Sequence, residues 1–505
     1  MSAVPSPLFE PVLWHEDGFE ILDEIQIPQQ IRYIHVTDVA QALDAVRQMK
    51  TRAFGQVLTF LYSAALLAQN YHCTEATPLR GQLQQLTQQF CDARPTFDFV
   101  GLGIMVDDFF DELPAGADVG ATIATKAREF GQQIVRGRSG RAKRAAMLLP
   151  TPARLLTHCN VSGELVAVAA YCKQMGKEFT VIATETRPYL QGARLTAWEL
   201  AQAGVEVILI PDSAVAHTLA QGEANAVIVG ADRVAQNGDV INKVGTYPIA
   251  RMAKEYGVPF YALVQDPRSL PRGADVPIEE RPADELLSFH GRDLVAGDHA
   301  QLLVRYPSFD VTPAEYITQL IGFAGVYTPE IFRLKYHTHT AAPLIETKPG
   351  GKYLLIYGVP PPSHFSFLLS ALKAEGARSL LIPEMRPQLW GARHIAPELL
   401  KHNIPTTLIS DNMMGTLFAH GEIAKLCFFY DRLTADGPEG ICGSLLAVQL
   451  ARLHGVQIEL FSADVRNEPT IDRDVSTFLG EPICPAGVTV RGLGAEAVPW
   501  ALLKS

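Results

Sequence analysis

This sequence is short of cysteine, of excess positive charge and of long apolar runs, and each shortage excludes something. Seven cysteines stand among 505 residues, at Cys73, Cys91, Cys159, Cys172, Cys427, Cys442 and Cys484, with no C-x-x-C pair. An odd, scattered set of thiols argues against a disulfide framework or a zinc cluster and for a reducing, cytoplasmic compartment. The formal net charge is −11. No general electrostatic footprint for nucleic acid is therefore expected, and an anionic ligand needs a local positive pocket. Gly, Pro or charge breaks every apolar run well before a bilayer is spanned, so no membrane segment is expected. Met1 to Glu10 has neither the basic stretch nor the apolar core of a signal peptide.

What is present is an ordinary globular balance, 48% hydrophobic and 19% charged, in a chain long enough for roughly two to four domains. Residues 1–30 are proline-rich and read as irregular, with Phe19 to Ile25 alternating like a short strand. Beyond Thr37 the spacing turns helical. Val39, Leu43, Val46 and Met49 recur at one face, with Asp38 placed to favour the first turn, and further helical runs cover Gln56 to Ala68, Leu79 to Cys91 and Phe99 to Phe110. The first 145 residues thus read as a mainly α-helical domain. Arg52 and Arg94 each stand where a helix is expected to start, a position suited to phosphate. Taken singly, each reads more readily as a surface arginine paired with an acid.

From Arg154 the pattern becomes β-α-β. Strand-like runs at 154–157, 179–183, 206–210, 226–229 and 259–264 alternate with helical runs at 162–175, 193–203, 214–221 and 247–256. That alternation indicates a parallel sheet covered on both faces, whose ligands gather at the carboxyl ends of the strands. Cys159, Glu185-Thr186-Arg187, Asp212 and Asp232 all fall just after a strand. The α/β region is assigned to residues 146–333, and residues 334–352 read as a linker.

Beyond the linker the chain repeats itself. Glu384 to Arg393 (EMRPQLWGAR) restates Glu185 to Arg194 (ETRPYLQGAR) at an offset of 199. The same offset carries Asp212 to Asp411, Asp232-Arg233 to Asp431-Arg432 and Gly238 to Gly437. Residues 353–505 therefore read as a second copy of the parallel-sheet domain. The copy has lost chemistry: Gly358 stands at the Cys159 position, Trp390 at Gln191, and Gly440-Ile441 at Asn242-Lys243. It reads as degenerate and non-catalytic.

Four stretches carry a family resemblance: Thr157-His158-Cys159-Asn160, Glu185 to Leu200 (ETRPYLQGARLTAWEL), Gly230 to Arg233 (GADR) and Asn237 to Tyr247 (NGDVINKVGTY). Pro277 to Arg281 (PIEER) and Phe309 to Pro313 (FDVTP) extend it. Over roughly residues 18–333 the chain resembles the methylthioribose-1-phosphate isomerases of methionine salvage. Their superfamily also holds ribose-1,5-bisphosphate isomerases and the regulatory subunits of translation initiation factor 2B. The resemblance implies a helical N-terminal domain, a Rossmann-like domain and a homodimer, with no cofactor or metal. It puts Cys159 and Asp232 at the two catalytic positions and Arg52, Arg94, Gln191, Asn242 and Lys243 at positions that bind a small phosphorylated pentose.

Some residues depart from the family pattern. Phe54 stands where a small residue is expected, which predicts a reshaped pocket. Glu164 adds negative charge at the helix start expected to receive phosphate, and Arg141-Ala142-Lys143-Arg144 replaces a Glu-His-Gly.

The residue types fit an aldose–ketose change. Opening the ring of a sugar 1-phosphate needs a protonated acid, so Asp232 must be buried to raise its pKa. A thiol can move a proton between C2 and C1 if its pKa lies near the working pH, which a helix N-terminus would favour; proton and hydride transfer both stay open for this step. Taken alone, a cysteine after a strand is an ordinary buried thiol, Gly-Ala-Asp-Arg is an ordinary turn, and His158 is a hydrogen-bonding residue with no second histidine at ligand spacing. The functional reading rests on their coincidence in one ordered set. Two rivals stand beside it: a ribose-1,5-bisphosphate isomerase, and a non-catalytic sensing protein like the initiation-factor subunits. The second copy is expected either to make the chain a pseudo-dimeric monomer or to leave a homodimer formed by the first copy.

Overall fold

The computed structural model describes residues 6–72, 75–95, 97–114, 116–268, 270–295, 297, 300–336, 353–463 and 474–503. Most of the stretch read as a linker, 337–352, lies outside the described residues, as do Cys73 and Thr96.

Aspartates placed ahead of apolar runs cap the N-terminal helices. Asp38 accepts from the Ala40 N–H while Gln41 reaches back, a capping box that starts the helix Val39–Arg47. Asp98 caps Phe99–Asp108 and Asp118 caps the long helix Val119–Leu148. Between them lie Ala53–Gln69 and Ala76–Ala93. Phe60, Phe90 and Phe99 meet with ring centroids 5.0 to 5.8 Å apart and close the core of this bundle.

Two readings of this region are corrected. Residues 1–30, read as irregular apart from a strand-like run at Phe19 to Ile25, hold two strands, Val12–His15 and Gly18–Leu22, the second overlapping that run, and Tyr33–Val36 completes a three-stranded antiparallel sheet. Its first turn is Glu16-Asp17, with Gly18 opening the second strand opposite His15, and the strands are too short to show periodicity. Arg94 does not begin a helix. It ends Ala76–Ala93 as the C-cap, and the next helix starts five residues later, behind Asp98.

The mixed α/β part is built on a sheet of eight strands. Their order is Val326–Tyr327, Gln319–Ile321, Phe260–Leu263, Ala226–Val229, Ala153–Thr157, Phe179–Thr184, Glu206–Ile210 and Thr489–Val490. All neighbours are parallel except the first pair. The central strand Ala226–Val229 is buried at every residue, as a strand covered on both faces must be. A second sheet, all parallel, runs Leu303–Val304, Thr406–Ile409, Ser379–Pro383, Tyr353–Tyr357, Ile423–Tyr430 and Gln457–Ser462. Each sheet thus takes one edge strand from the other half of the chain: Leu303–Val304 pairs with Thr407-Leu408, and Thr489–Val490 with Ile208-Leu209.

Two buried ion pairs join the halves. Arg187 bonds Glu384 through Nε at 2.8 Å and Nη2 at 2.9 Å. Arg386 bonds Glu185 through Nε at 3.0 Å and Nη2 at 2.7 Å. Both guanidiniums lie over the Phe478 ring. Arg386 is therefore engaged within the fold. Among the described residues no helix is long and apolar enough to cross a membrane.

Candidate active site

The turn after strand Ala153–Thr157 is held from several sides. Cys159 has a left-handed backbone, φ 65°. Its N–H donates to Thr186 Oγ1 at 2.9 Å and its carbonyl accepts from Thr196 Oγ1 at 2.6 Å. Asn160 donates to Thr196 Oγ1 at 3.0 Å and Glu199 Oε1 at 2.8 Å, and takes the Ser162 N–H at 2.8 Å. Thr186 is fixed in turn by Asp212, whose two oxygens each accept a backbone N–H, from Thr186 and Arg187, at 2.7 Å. Beside the thiol, His158 bonds Thr184 Oγ1 at 2.7 Å and the Val244 carbonyl at 2.9 Å. Burial pushes its pKa down to about 4, so the ring is neutral and Nε2 donates to Val244. His158 is thus the hydrogen-bonding residue that the sequence suggested.

Around this turn the structure gathers Cys159, Asp232, Lys243, Arg52 and Arg94. Lys243 is buried, its ammonium 4.5 Å from the Phe309 ring centroid. Burial lowers its pKa, opposed by Cys159 and Asp232, while Arg52 and Arg94 lower it further. Burial raises Asp232, with Lys243 and Arg94 opposing. The carboxyl is thus protonated at higher pH than an ordinary aspartate, as ring opening requires. Burial lowers Arg94 too, against the nearby Glu279.

Cys159 departs from expectation. Burial pushes its thiol up to about 11, with Lys243 pulling the other way. The helix expected to lower it begins only at Glu164, because Ser162 and Gly163 take left-handed φ values of 48° and 81°. The resting thiol is therefore protonated. Burial without a helix N-terminus is the physical reason.

Arg52 is the residue immediately before helix Ala53–Gln69; its backbone N–H donates to Glu24 Oε1 at 3.0 Å and its guanidinium lies 5.1 Å from the Tyr189 ring centroid. The Nε atoms of Arg52 and Arg94 and Oε1 of Gln191 are buried without a protein partner. Such atoms are costly in a fold and characteristic of a site built for a polar ligand. Asn242 differs: its amide donates to Thr246 Oγ1 at 2.9 Å, in the helix that follows.

Glu164 corrects another expectation. Its carboxylate receives Arg138 Nε at 2.7 Å and Arg141 Nε at 2.9 Å, and no free negative charge faces a phosphate. Arg138 lies 3.9 Å from the Phe54 ring centroid and 4.7 Å from that of Phe9, and donates to the Val161 and Ser162 carbonyls. The three departures from the family pattern, Phe54, Arg141 and Glu164, belong to one packed cluster under the Cys159 turn. Sequence reading missed Glu279, Arg281 and Tyr189 as neighbours of the site. Arg281 is bonded by Glu279 at 2.7 Å, also pairs with Glu285, and donates to Tyr189 Oη at 3.3 Å. The Glu-Glu-Arg run at 279–281 was the available signal. Among the described residues no group of three or more His, Cys, Asp or Glu is arranged to hold a metal.

The model of the initiation factor 2 subunit family matches residues 55–329 and again 357–439. A methylthioribose-1-phosphate isomerase of Desulforudis audaxviator is 36% identical over 343 residues, 63% of this chain and 94% of that one. One from Albidiferax ferrireducens is 37% identical, over 62% and 92%. Among solved structures, 5-methylthioribose 1-phosphate isomerase from Pyrococcus horikoshii aligns with a TM-score of 0.57 at 30% identity, covering 64% of this chain and 94% of that one. Translation initiation factor eIF-2B, subunit delta, from A. fulgidus aligns at 0.55 and 29%, covering 64% and 99%. With the matched segments spanning both the helical bundle and the site-bearing sheet, the chain belongs to the initiation factor 2 subunit family.

Proposed function

We propose that the protein converts 5-methylthioribose 1-phosphate, or a close 5-deoxypentose 1-phosphate, to the corresponding ribulose 1-phosphate, the aldose–ketose step of methionine salvage. The observation that carries this is the convergence of Cys159 and Asp232 with Lys243, Arg52 and Arg94, in a chain about a third identical to isomerases of that name. Asp232, protonated more readily than an ordinary aspartate, gives its proton to the ring oxygen, and C1 becomes an oxocarbenium centre. Cys159 acts in its minor thiolate form, its own proton lost to solvent and the thiolate favoured by Lys243; it takes the proton from C2 and returns it to C1. The 2-hydroxyl proton returns to Asp232. C2 ends as the ketone, C1 as a methylene bearing phosphate, and both side chains regain their starting state. Gln191 and Asn242 bind sugar hydroxyls.

The cations favour one phosphate over two. Arg138 and Arg141 are paired with Glu164, and Arg281 with Glu279 and Glu285. Arg52, Arg94 and Lys243 have no ion pair within 4.0 Å among the described residues. Three cations suit a single phosphate dianion. A reducing cytoplasm agrees with the free thiols of Cys91, Cys159, Cys172, Cys427, Cys442 and Cys484.

The same reading takes residues 353–505 as a degenerate copy that stands in for a partner subunit, after a helical domain to 145, a catalytic domain to 333 and a linker. Support comes from the second family match at 357–439, the reciprocal Arg187–Glu384 and Arg386–Glu185 pairs and the exchanged edge strands. At Gly358, the counterpart of Cys159, an added Cβ would lie 1.9 Å from the Phe429 carbonyl oxygen, so no thiol fits there.

Assay of the purified protein with 5-methylthioribose 1-phosphate and ribose 1,5-bisphosphate tests the function. Turnover of the first sugar is expected. Preference for the second would move the assignment to the bisphosphate branch, and turnover of neither would overturn the isomerase reading in favour of a sensing role.

A further inference from the structure

The second half of the chain reaches the catalytic half at one point immediately behind the reacting groups. Asn412 follows the strand Thr406–Ile409 and is 2% exposed. Ser410 Oγ donates to its Oδ1 at 2.6 Å, which fixes the amide so that Nδ2 points across the boundary. Nδ2 donates to the Arg187 carbonyl at 2.9 Å and to the Val244 carbonyl at 3.3 Å. The Val244 oxygen also takes His158 Nε2 at 2.9 Å. One carbonyl therefore ties together the residue before Cys159, the residue after Lys243 and a side chain from the other half. The second carbonyl follows Thr186, whose hydroxyl holds the Cys159 N–H. An added Cβ on Gly245, at φ 104°, would lie 2.9 Å from both Asn412 Cβ and His158 Cε1. The backbone comes this close only as glycine.

The mirror-related contact is weaker. At the shared offset of 199, Ser213 corresponds to Asn412, Tyr357 to His158 and Arg386 to Arg187. Tyr357 Oη donates to the Cys442 carbonyl at 2.8 Å, just as His158 serves Val244. The Ser213 hydroxyl, however, is 3.5 Å from the Arg386 carbonyl and 3.4 Å from Cys442 Sγ. It does not complete the pair of bonds that Asn412 makes. The full clamp is present only where the thiol, acid and lysine are.

We propose that Asn412 is a positioning residue for the isomerase site: the half without chemistry fixes the register of the Cys159 turn against the Lys243 strand. This rests on the function proposed above. It goes beyond a partner-substitute role, because the second half then contributes to the site itself and not only to its foundation.

The test compares Asn412→Ala, the isosteric Asn412→Asp, which lacks both donors, and the shortened Asn412→Ser with Ser213→Ala at the mirror position. Turnover of 5-methylthioribose 1-phosphate is read as kcat and KM, with the thermal midpoint of each variant. A displaced reacting group costs on the order of tenfold or more in rate. A fall of about that size in kcat is expected for Asn412→Ala and Asn412→Asp, with KM within about twofold. Asn412→Ser should be intermediate. Ser213→Ala should keep wild-type kcat whatever its midpoint. A kcat within about twofold of wild type in Asn412→Ala, or an equal loss in Ser213→Ala, would overturn the proposal. A readout independent of turnover is the iodoacetamide rate at Cys159, followed on its own peptide by mass spectrometry. It should change in both donor-less variants and not in Ser213→Ala, and no change would overturn the proposal even if an alanine variant were unstable. Failure of the wild type to turn over either sugar would strike the proposed function, whereas active wild type with unaffected Asn412 variants would strike only this inference.

Discussion

Cys159 is a thiol governed by burial. With its pKa near 11, only a small fraction is thiolate at neutral pH, and that fraction grows about tenfold per pH unit. Alkylation of Cys159 in the substrate-free protein should therefore keep rising between pH 7 and about 9.5 without a plateau. A plateau near pH 7 would contradict the burial account. The identities of Cys159, Asp232 and Lys243 were legible in the sequence, because each ends or follows a strand inside a recognisable motif. The state of the thiol was not legible. It depends on how deeply the turn buries the sulfur and on where the next helix begins, which left-handed Ser162 and Gly163 put at Glu164. Asn412 was invisible for a related reason: its partners, Arg187 and Val244, lie 225 and 168 residues away in sequence.

The element that most shapes the site is the turn from Cys159 to Glu164, and its foundation is the Arg138–Glu164–Arg141 cluster. Burial alone would raise Glu164, but Arg141 and Arg138 outweigh it and hold the carboxyl below the ordinary range. A carboxyl depressed in the folded state adds stability above its unfolded pKa and loses it as pH falls through the lower native value. Glu164→Gln should cost about 3–5 kcal/mol, the size expected when buried charges lose their partner. It should also flatten the acid side of the stability profile below about pH 4. Chemical denaturation across pH checks both, and an unchanged midpoint would show that the cluster is not a support. Sequence reading found the unusual residues at 54, 141 and 164 but treated them as separate changes to a pocket. Their common purpose is a matter of packing between a helix, a strand end and the N-terminal segment, which no local pattern records. Arg94 teaches the same lesson at a helix end, since Asp98 and not Arg94 caps the next helix.

At the scale of the whole molecule, the exchanged edge strands and the two reciprocal Arg–Glu pairs join the two halves, which is the support for our proposal that residues 353–505 stand in for a partner. Strand alternation, helix positions and the repeat at offset 199 could all be read from the sequence. The strand exchange could not, because Leu303–Val304 and Thr489–Val490 are two-residue strands without periodicity. Light scattering of the full chain should give the mass of one chain, 55.2 kDa, across a wide concentration range. A dimer held by the first half alone would contradict the partner-substitute reading. The central claim, that one site in this pseudo-symmetric chain isomerises a pentose 1-phosphate through Cys159 and Asp232, is tested most directly by kcat for 5-methylthioribose 1-phosphate in wild type, Cys159→Ser and Asp232→Asn. Loss of a positioned acid–base group costs about 10²–10⁴-fold, and a fall of at least that size is expected in each variant with folding intact. Turnover that survives both substitutions would contradict the account.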